Sequence, residues 1–160
     1  MITTGDLCLR LASAVLVGGL VGINREARAK AVGVRTLGLV GLGAALVTLS
    51  GSGFSGEMDA NASRALQGLI TGIGFLGAGV IVKGAREEQV HGLTTAAAIW
   101  VTAALGVVCG LGAYLPLVIS LVPMALLLRL GGYIDDAVHG WWRRTDDAEA
   151  KRQRKSGGPR

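Results

Sequence analysis

The sequence contains few of the residues that build catalytic, metal-binding and disulfide-bonded sites. Its 160 residues include only two cysteines and two histidines, and Cys8 and Cys109 show neither metal-ligand spacing nor a disulfide framework. No aspartate or glutamate falls in the middle of a long apolar run. Because a pathway for a hard divalent cation normally needs carboxylates or converging carbonyls, this absence weighs against a cation transporter. The sequence therefore indicates no metal site, no cofactor and no catalytic residue.

The chain is instead rich in hydrophobic and small residues. Hydrophobic residues make up 51% of it, glycines number 26, and the mean hydropathy is +0.51. A helix needs about 17–25 largely apolar residues to cross a bilayer. Five blocks are long enough, and they run over 7–23, 36–53, 65–82, 93–110 and 113–130. We therefore predict an all-α fold, a polytopic transmembrane helix bundle of about five spans in a lipid bilayer.

The distribution of basic residues predicts the orientation of this bundle. Lysines and arginines are concentrated in the first loop, the third loop and the C-terminal tail, which lie on one side of a five-span topology. The opposite side has only Arg10 and Arg64. The positive-inside rule then places the N-terminus outside and the C-terminus in the cytoplasm. The formal charge of +5 is explained by this orientation and gives no reason to expect a nucleic-acid partner.

The composition changes along the chain and divides it into three regions. Residues 1–130 form the transmembrane domain. Residues 131–144 contain Trp141 and Trp142 followed by Arg143, which is typical of an amphipathic segment at the membrane interface. Residues 145–160 are charged and basic, and we expect a disordered tail. No cleavable signal peptide is recognisable at the N-terminus.

Glycines are concentrated in the third block, between Gly68 and Gly79. Small residues let membrane helices approach closely, so we predict that this block is the centre of the bundle. The predicted packing positions are Gly68, Gly72, Gly74, Gly77, Gly79 and, in the fourth block, Gly106. Gly72, Gly74 and Gly77 also match a dinucleotide-binding pattern, but no strand precedes them and no acidic residue follows at the required distance.

Two further pairs of small residues leave the oligomeric state open. Gly18 and Gly22 in the first block, and Gly106 and Gly110 in the fourth, have the spacing of small-xxx-small association motifs. These pairs suit a homodimer and equally suit contacts within one chain.

Polar residues form seams at helical spacing on three of the predicted spans. Arg10, Ser13 and Asn24 share a face of the first span, Arg64, Gln67 and Thr71 of the third, and Thr95 and Thr102 of the fourth. These seams can meet inside a bundle, through interhelical hydrogen bonds or as a functional site. The two arginines in them can be anchors, with Arg10 paired to Asp6 and Arg64 paired to Asp59 or Asn61.

Charged residues at the ends of the first two spans form a predicted cytoplasmic cluster. It contains Arg25, Glu26, Arg35 and Thr36, in which arginine and glutamate can pair and Thr36 can cap the second helix. The alternative is that Arg25 and Arg35 only fix the topology.

Several short motifs occur in the same order as in a known protein family. They are Leu9-Arg10-Leu11, Gly22-Ile23-Asn24-Arg25-Glu26, Gly33-Val34-Arg35-Thr36, Gly72 to Gly79, and Gly92-Leu93-Thr94-Thr95-Ala96-Ala97 with Trp100. Together they closely resemble the MgtC/SapB family, over roughly 7–130. The sequence departs from the family at two positions where an acidic residue is usual, Asn24 and Asn61. The chain also ends soon after Trp142, so it resembles a short form without the soluble C-terminal domain.

The resemblance implies a non-enzymatic, multi-pass protein of the bacterial inner membrane. It implies a role in adaptation to low magnesium, through regulation of ion homeostasis or membrane energetics by protein contacts, with the F-type ATP synthase as one candidate partner. The alternative is a transporter of magnesium or another ion. The residues that we assign to a functional cluster on this basis are Arg10, Asn24, Arg25, Glu26, Arg35, Thr36, Arg64, Gln67, Thr94 and Thr95.

Overall fold

The structure, a computed structural model, describes residues 2–55, 57–83 and 90–131. It contains five helices, α1 Thr4–Glu26, α2 Val34–Gly51, α3 Ala60–Gly79, α4 Leu93–Gly110 and α5 Tyr114–Gly131. Two antiparallel two-residue strands, β1 Val82–Lys83 and β2 Val90–His91, lie between α3 and α4. The all-α fold is confirmed. The tail at 145–160 and, apart from Gly131, the interfacial segment at 131–144 lie outside the described residues.

Four of the described helices, α1, α2, α4 and α5, are long and apolar enough to span a bilayer. Helix α3 is not among them, although it contains most of the third predicted span. The sidedness of the bundle stays a prediction. We therefore name its two ends by their residues: the Arg25 end, where α1 and α3 finish and α2 and α4 begin, and the Arg10 end, where the reverse holds.

The described residues up to Val118 form one compact unit, and those from Ile119 onwards belong to a second. In the first unit, helices α1, α2 and α4 pack against one another, and α3 packs on α2 and α4. In the second unit, the described residues 119–131 continue helix α5, and Val122, Leu126 and Leu127 are exposed. Such an apolar surface suits a lipid environment.

Glycines set the distance between the three helices α1, α2 and α4. A Cβ atom added to Gly18 of α1 would lie 3.0 Å from Gly38 Cα of α2. One added to Gly106 of α4 would lie 2.8 Å from Ala44 Cβ, and one added to Gly110 would lie 2.9 Å from Thr48 Cβ. These helices approach so closely because neither neighbour has a large side chain at the crossing. The small-residue pairs that suggested a homodimer are thus used inside the chain.

The prediction that α3 is the centre of the bundle is wrong. An added Cβ atom would meet no described atom within 4 Å at four of the glycines, Gly68, Gly72, Gly74 and Gly79. At Gly77 it would meet only Ala96 Cβ, at 3.7 Å. Helix α3 instead turns Ile73 and its apolar neighbours towards α2 and α4, since burying branched side chains removes more apolar surface than burying glycine. The centre is the α2–α4 pair.

Candidate functional site

Arg25 joins the last turn of α1 to the first turn of α4. Only 3% of its surface is exposed, and its Nη2 donates a 2.5 Å hydrogen bond to Thr95 Oγ1, which is also buried. The two residues are 70 positions apart in the sequence. A buried arginine needs partners, because transfer of an unpaired charge away from water is costly. The contact therefore fixes where α1 ends relative to the start of α4.

The charge of Arg25 is only partly compensated by its surroundings. Its Nε atom and the Oδ1 atom of Asn24 are buried without a hydrogen-bond partner. Among the described residues, the ion pair is formed by Arg10 and Asp6, and no described carboxylate pairs with Arg25. The N-terminus of α4 adds positive partial charge at this end, and its N-cap residue Gly92 has no side chain that could cap it. Among the described residues, the interior of the Arg25 end therefore carries an excess of positive charge.

Glu26 is adjacent to Arg25 in the sequence, but its side chain contacts α2 instead of α4. Its Oε2 atom accepts a 3.3 Å hydrogen bond from the backbone N–H of Val34, the first residue of α2. The N-cap residue of α2 is Gly33, which offers no capping side chain, so Glu26 caps α2 from the end of α1. The predicted Arg25–Glu26 pair is not formed, and Thr36 does not cap α2, because these roles are taken by Thr95 and by Glu26.

Glu26, Arg35 and Thr36 nevertheless gather around one open, polar cavity. Its volume is about 550 Å³, and it lies between the end of α1 and the start of α2. Its lining residues are Glu26, Lys30, Ala31, Gly33, Val34, Arg35 and Thr36. Two cations and one carboxylate around an exposed cavity can contact a charged group of another molecule. Thr94, beside the buried Thr95, is exposed at the same end of the bundle.

Arg10 lies at the opposite end and closes the turn between α4 and α5. Its Nε atom donates to Asp6 Oδ2 at 2.9 Å, and the i, i+4 spacing predicted this pair. Its Nη1 atom donates to the carbonyl oxygen of Gly110 at 2.8 Å. Gly112, with a φ of 71°, lies against the guanidinium, where an added Cβ atom would be 2.7 Å from Cζ. A cation at the C-terminus of α4 is also favourable for the helix dipole, so Arg10 has a structural role.

The predicted seam on α3 faces away from the other helices. Arg64, Gln67 and Thr71 are all exposed. The Nη2 atom of Arg64 donates to Asn61 Oδ1 at 2.6 Å, whereas Asp59 caps the helix by accepting from the N–H of Ala62. The prediction that this seam meets those of α1 and α4 inside the bundle is therefore wrong. The physical reason is that the apolar side of α3 is the side that packs.

Polar residues of the interior bond mainly to their own helices. Thr102 Oγ1 donates to the carbonyl of Ala98, and Thr48 Oγ1 donates to that of Ala44, both at 2.8 Å. Thr48 could not be predicted as an interior residue, because its burial between α2 and α4 has no local signal in the sequence. In the described ranges, no group of three histidine, cysteine or acidic side chains could hold a metal ion. Cys109 is buried and Cys8 is exposed, and both are free thiols.

The model of the MgtC family matches residues 11–137. The protein SrpB of Synechococcus elongatus is 46% identical over 116 residues, which cover 66% of this chain and 64% of that protein. MgtC of Brucella abortus is 46% identical over 102 residues, which cover 64% of this chain and 41% of that protein. YhiD of Escherichia coli is 41% identical over 117 residues, which cover 69% of this chain and 54% of that protein. This chain thus spans less than two thirds of the length of these relatives. No solved structure matches it. The family match extends over most of the chain, including most of α1 and all of α2 to α5, and shows that the chain belongs to the MgtC family.

Proposed function

We propose that this chain is a non-enzymatic, multi-pass protein of the bacterial inner membrane that acts by contact with other membrane proteins. In this proposal it regulates ion homeostasis or membrane energetics during adaptation to low magnesium. Membership of the MgtC family supports the magnesium connection, since relatives carry the name MgtC. The four apolar helices long enough to span a bilayer support the membrane environment.

The observation that best supports a regulatory function is the close packing of α1, α2 and α4. A transporter of the kinds that are known holds its substrate near the bilayer midplane, between helices whose polar groups face a cavity. In this chain, Gly18, Gly41 and Gly106 bring the backbones of α1, α2 and α4 into contact. The threonines of the same region donate to their own helices. A closed interior of this kind suits a protein that acts through its surface.

Three cavities among the described residues open at the surface of the bundle. One is the polar cavity at the Arg25 end. A second, of about 160 Å³, lies between α3 and α4, and a third, of about 450 Å³, lies between α2 and α3. The last two are lined by apolar side chains such as Leu69, Ile73 and Trp100. The polar cavity is therefore our candidate contact site for a partner protein, and the F-type ATP synthase is the candidate partner that the family resemblance supplies.

A transporter of magnesium or another ion is the second candidate function. One observation favours it, namely that the relative YhiD carries a name that proposes magnesium transport. Magnesium needs a nearly octahedral set of oxygen ligands and gives up its water reluctantly. A transporter of this family would thus have to open the packed helices at Gly18, Gly41 and Gly106 to admit it.

Flux through the purified protein separates the two functions. Proteoliposomes that contain only this chain are loaded with a magnesium-sensitive dye and exposed to an external magnesium gradient. We expect uptake equal to that of protein-free liposomes, with the folded state of the reconstituted protein checked by its thermal transition. Saturable uptake by the folded wild-type chain would refute the regulatory proposal.

The contact site is tested in cells that require the protein for growth at low magnesium. Glu26→Lys reverses the carboxylate of the polar cavity, and we expect loss of complementation with normal membrane insertion. Glu26→Asp, which keeps the negative charge at the polar cavity, is the matched control and should complement. Cross-linking from a photoreactive residue at Lys30 then identifies the partner, and recovery of proteins other than ATP synthase subunits would exclude that partner.

The orientation of the bundle is tested by labelling with a membrane-impermeant thiol reagent. Cys8 is exposed and Cys109 is fully buried, so only Cys8 reports on the outer side. In cells with an opened outer compartment, we expect Cys8 to be labelled. A cysteine introduced by Arg28→Cys, with Cys8→Ser, should be labelled only after the inner membrane is broken. The reverse pattern would place the Arg25 end outside.

A further inference from the structure

Helix α3 lies at the same depth as two helices that are apolar enough to span a bilayer. At the Arg10 end, Gly51 in the last turn of α2 faces the start of α3, where an added Cβ atom would be 2.7 Å from Ala65 Cβ. At the Arg25 end, Gly77 of α3 faces Ala96 in the first turn of α4. Helix α3 therefore runs along the full length of α2 and α4. If these cross the hydrocarbon core, α3 crosses it too.

The surface that α3 turns away from α2 and α4 is unsuited to lipid. Arg64, Gln67 and Thr71 are exposed on it at helical spacing, and Gly68 and Gly72 between them add no apolar side chain. We call this surface the outer face of α3. The polar residues of this face explain why the mean hydropathy of α3 is below that of a membrane-spanning helix. An amide such as that of Gln67 costs several kcal/mol in hydrocarbon when it has no partner.

The exposed surfaces of the other helices differ in kind from the outer face of α3. On α1, Leu16 and Leu20 are exposed, and on α2 Leu39 is exposed to 68%. Large aliphatic side chains of this sort are what a helix presents to lipid. The outer face of α3 is thus the surface of the first unit that needs protein rather than lipid as its neighbour.

We propose that the outer face of α3 binds the same face of a second copy of this chain. Two copies enter the membrane in one orientation, so a two-fold axis along the membrane normal places identical residues opposite each other at equal depth. Gln67 suits this arrangement because its amide group both donates and accepts, so each Gln67 can satisfy the other. Thr71, one turn further along, has the same property.

The shape of the outer face is also complementary to itself. Phe75 is 81% exposed and is the largest projection on it. One turn and two turns away lie Gly72 and Gly68, where a Cβ atom would meet no described atom within 4 Å. In a symmetric pair, each Phe75 side chain, which leans towards the N-terminus of its own helix, packs against Gly72 of the other copy. Close approach at glycine, with polar groups bonded across the interface, is how membrane helices associate.

The charges at the Arg10 end of α3 allow the two copies to approach. Arg64 is hydrogen-bonded to the neutral Asn61, and it has no described carboxylate partner. Glu57 and Asp59 are exposed just before the helix begins. A pair of copies therefore brings two arginines to the level of four carboxylates, which offsets the repulsion between the arginines.

Cysteine cross-linking in native membranes tests the proposal with a control at the same depth. Thr71→Cys lies on the outer face, whereas the adjacent Ile70→Cys is about 100° around the helix and is also exposed. Both are made with Cys8→Ser, and Cys109 is kept because it is buried. Mild oxidation should convert Thr71→Cys to a covalent homodimer and leave Ile70→Cys monomeric. A disulfide requires Cα atoms within about 7 Å, so the reaction reports a specific contact.

Three results of this experiment would overturn the proposal. They are a monomeric Thr71→Cys chain, equal dimerisation of the two variants, and a cross-link from Thr71→Cys to a different protein. The last result would assign the outer face to a heterologous partner. Each of these outcomes is independent of the flux measurement, so a failed dimer and a failed regulatory function can be told apart.

The variant Gly72→Leu tests the association of two copies without disturbing the folding of one copy. The empty space around Gly72 in the single chain accommodates the leucine, so the thermal transition in detergent should stay close to that of the wild type. In a symmetric pair the leucine occupies the space of Phe75. Dimerisation measured by energy transfer between labelled copies in bilayers should fall by about tenfold or more, which corresponds to about 1.4 kcal/mol. Unchanged dimerisation of a folded Gly72→Leu chain would contradict the proposed contact.

Discussion

Replacement of Thr95 by valine tests whether the buried contact with Arg25 holds α1 and α4 together. Valine has nearly the shape of threonine and cannot accept a hydrogen bond, so the change removes the partner of Arg25 Nη2 without opening a cavity. Thr95→Ser keeps the hydroxyl and is the matched control. The buried position of both residues excludes water as a ready substitute.

The expected magnitude follows from two contributions. Neutral hydrogen bonds between membrane helices contribute about 0.6 kcal/mol on average, and a charged donor roughly doubles this to about 1.2 kcal/mol. A buried guanidinium left without its acceptor adds a desolvation cost of about 1–3 kcal/mol. Among the described residues, the Nε atom of Arg25 already lacks a hydrogen-bond partner. Thr95→Val should therefore destabilise the bundle by about 2–4 kcal/mol, and Thr95→Ser by less than about 0.5 kcal/mol.

The assay is a double-mutant cycle with Arg25→Met, measured by unfolding in mixed micelles. Methionine keeps an apolar side chain of similar length and removes the charge. With Arg25 absent, Thr95→Val should cost less than about 0.5 kcal/mol, which gives a coupling energy of about 1.5–4 kcal/mol. A coupling energy below about 0.5 kcal/mol would show that the two residues are neighbours without a stabilising bond, and the reasoning would be refuted.

Three further outcomes are expected from the same unfolding assay. Gly106→Leu should destabilise the bundle by more than about 3 kcal/mol, because the leucine side chain meets the α2 backbone. Gly74→Leu should cost less than about 1 kcal/mol in the single chain. Equal costs for the two variants would contradict the assignment of the α2–α4 pair as the centre of the bundle. Glu26→Ala should lower stability by about 1 kcal/mol and increase amide hydrogen exchange at the start of α2, and unchanged exchange there would remove Glu26 as the cap. Arg10→Met should cost about 1–3 kcal/mol through loss of its bonds to Asp6 and the Gly110 carbonyl, with protection lost in the turn after α4; a loss confined to the Arg25 end would contradict this role.

The helices could be predicted from the sequence because their causes are local. Long apolar runs satisfy both the length of a bilayer and the backbone hydrogen bonding that lipid demands. The fourth span, predicted over 93–110, has those bounds in the structure. The Arg10–Asp6 pair could also be predicted, since residues four apart lie on one side of a helix. The family could be recognised because several of its motifs occur in order along the sequence.

The partners of these helices could not be predicted, because they depend on which faces pack. A glycine shows that a helix can be approached closely, but the spacing is the same for Gly106, which lies against α2, and for Gly72, which lies against no described residue. That choice was decided by apolar area: α3 buries Ile73 and its neighbours and leaves its glycines and Gln67 outside. Arg25 and Thr95, which are 70 positions apart, meet only because α1 packs against α4. Local sequence determined that five helices form, and the tertiary structure decided which of their small and polar residues lie inside, because burial is a property of the assembled bundle.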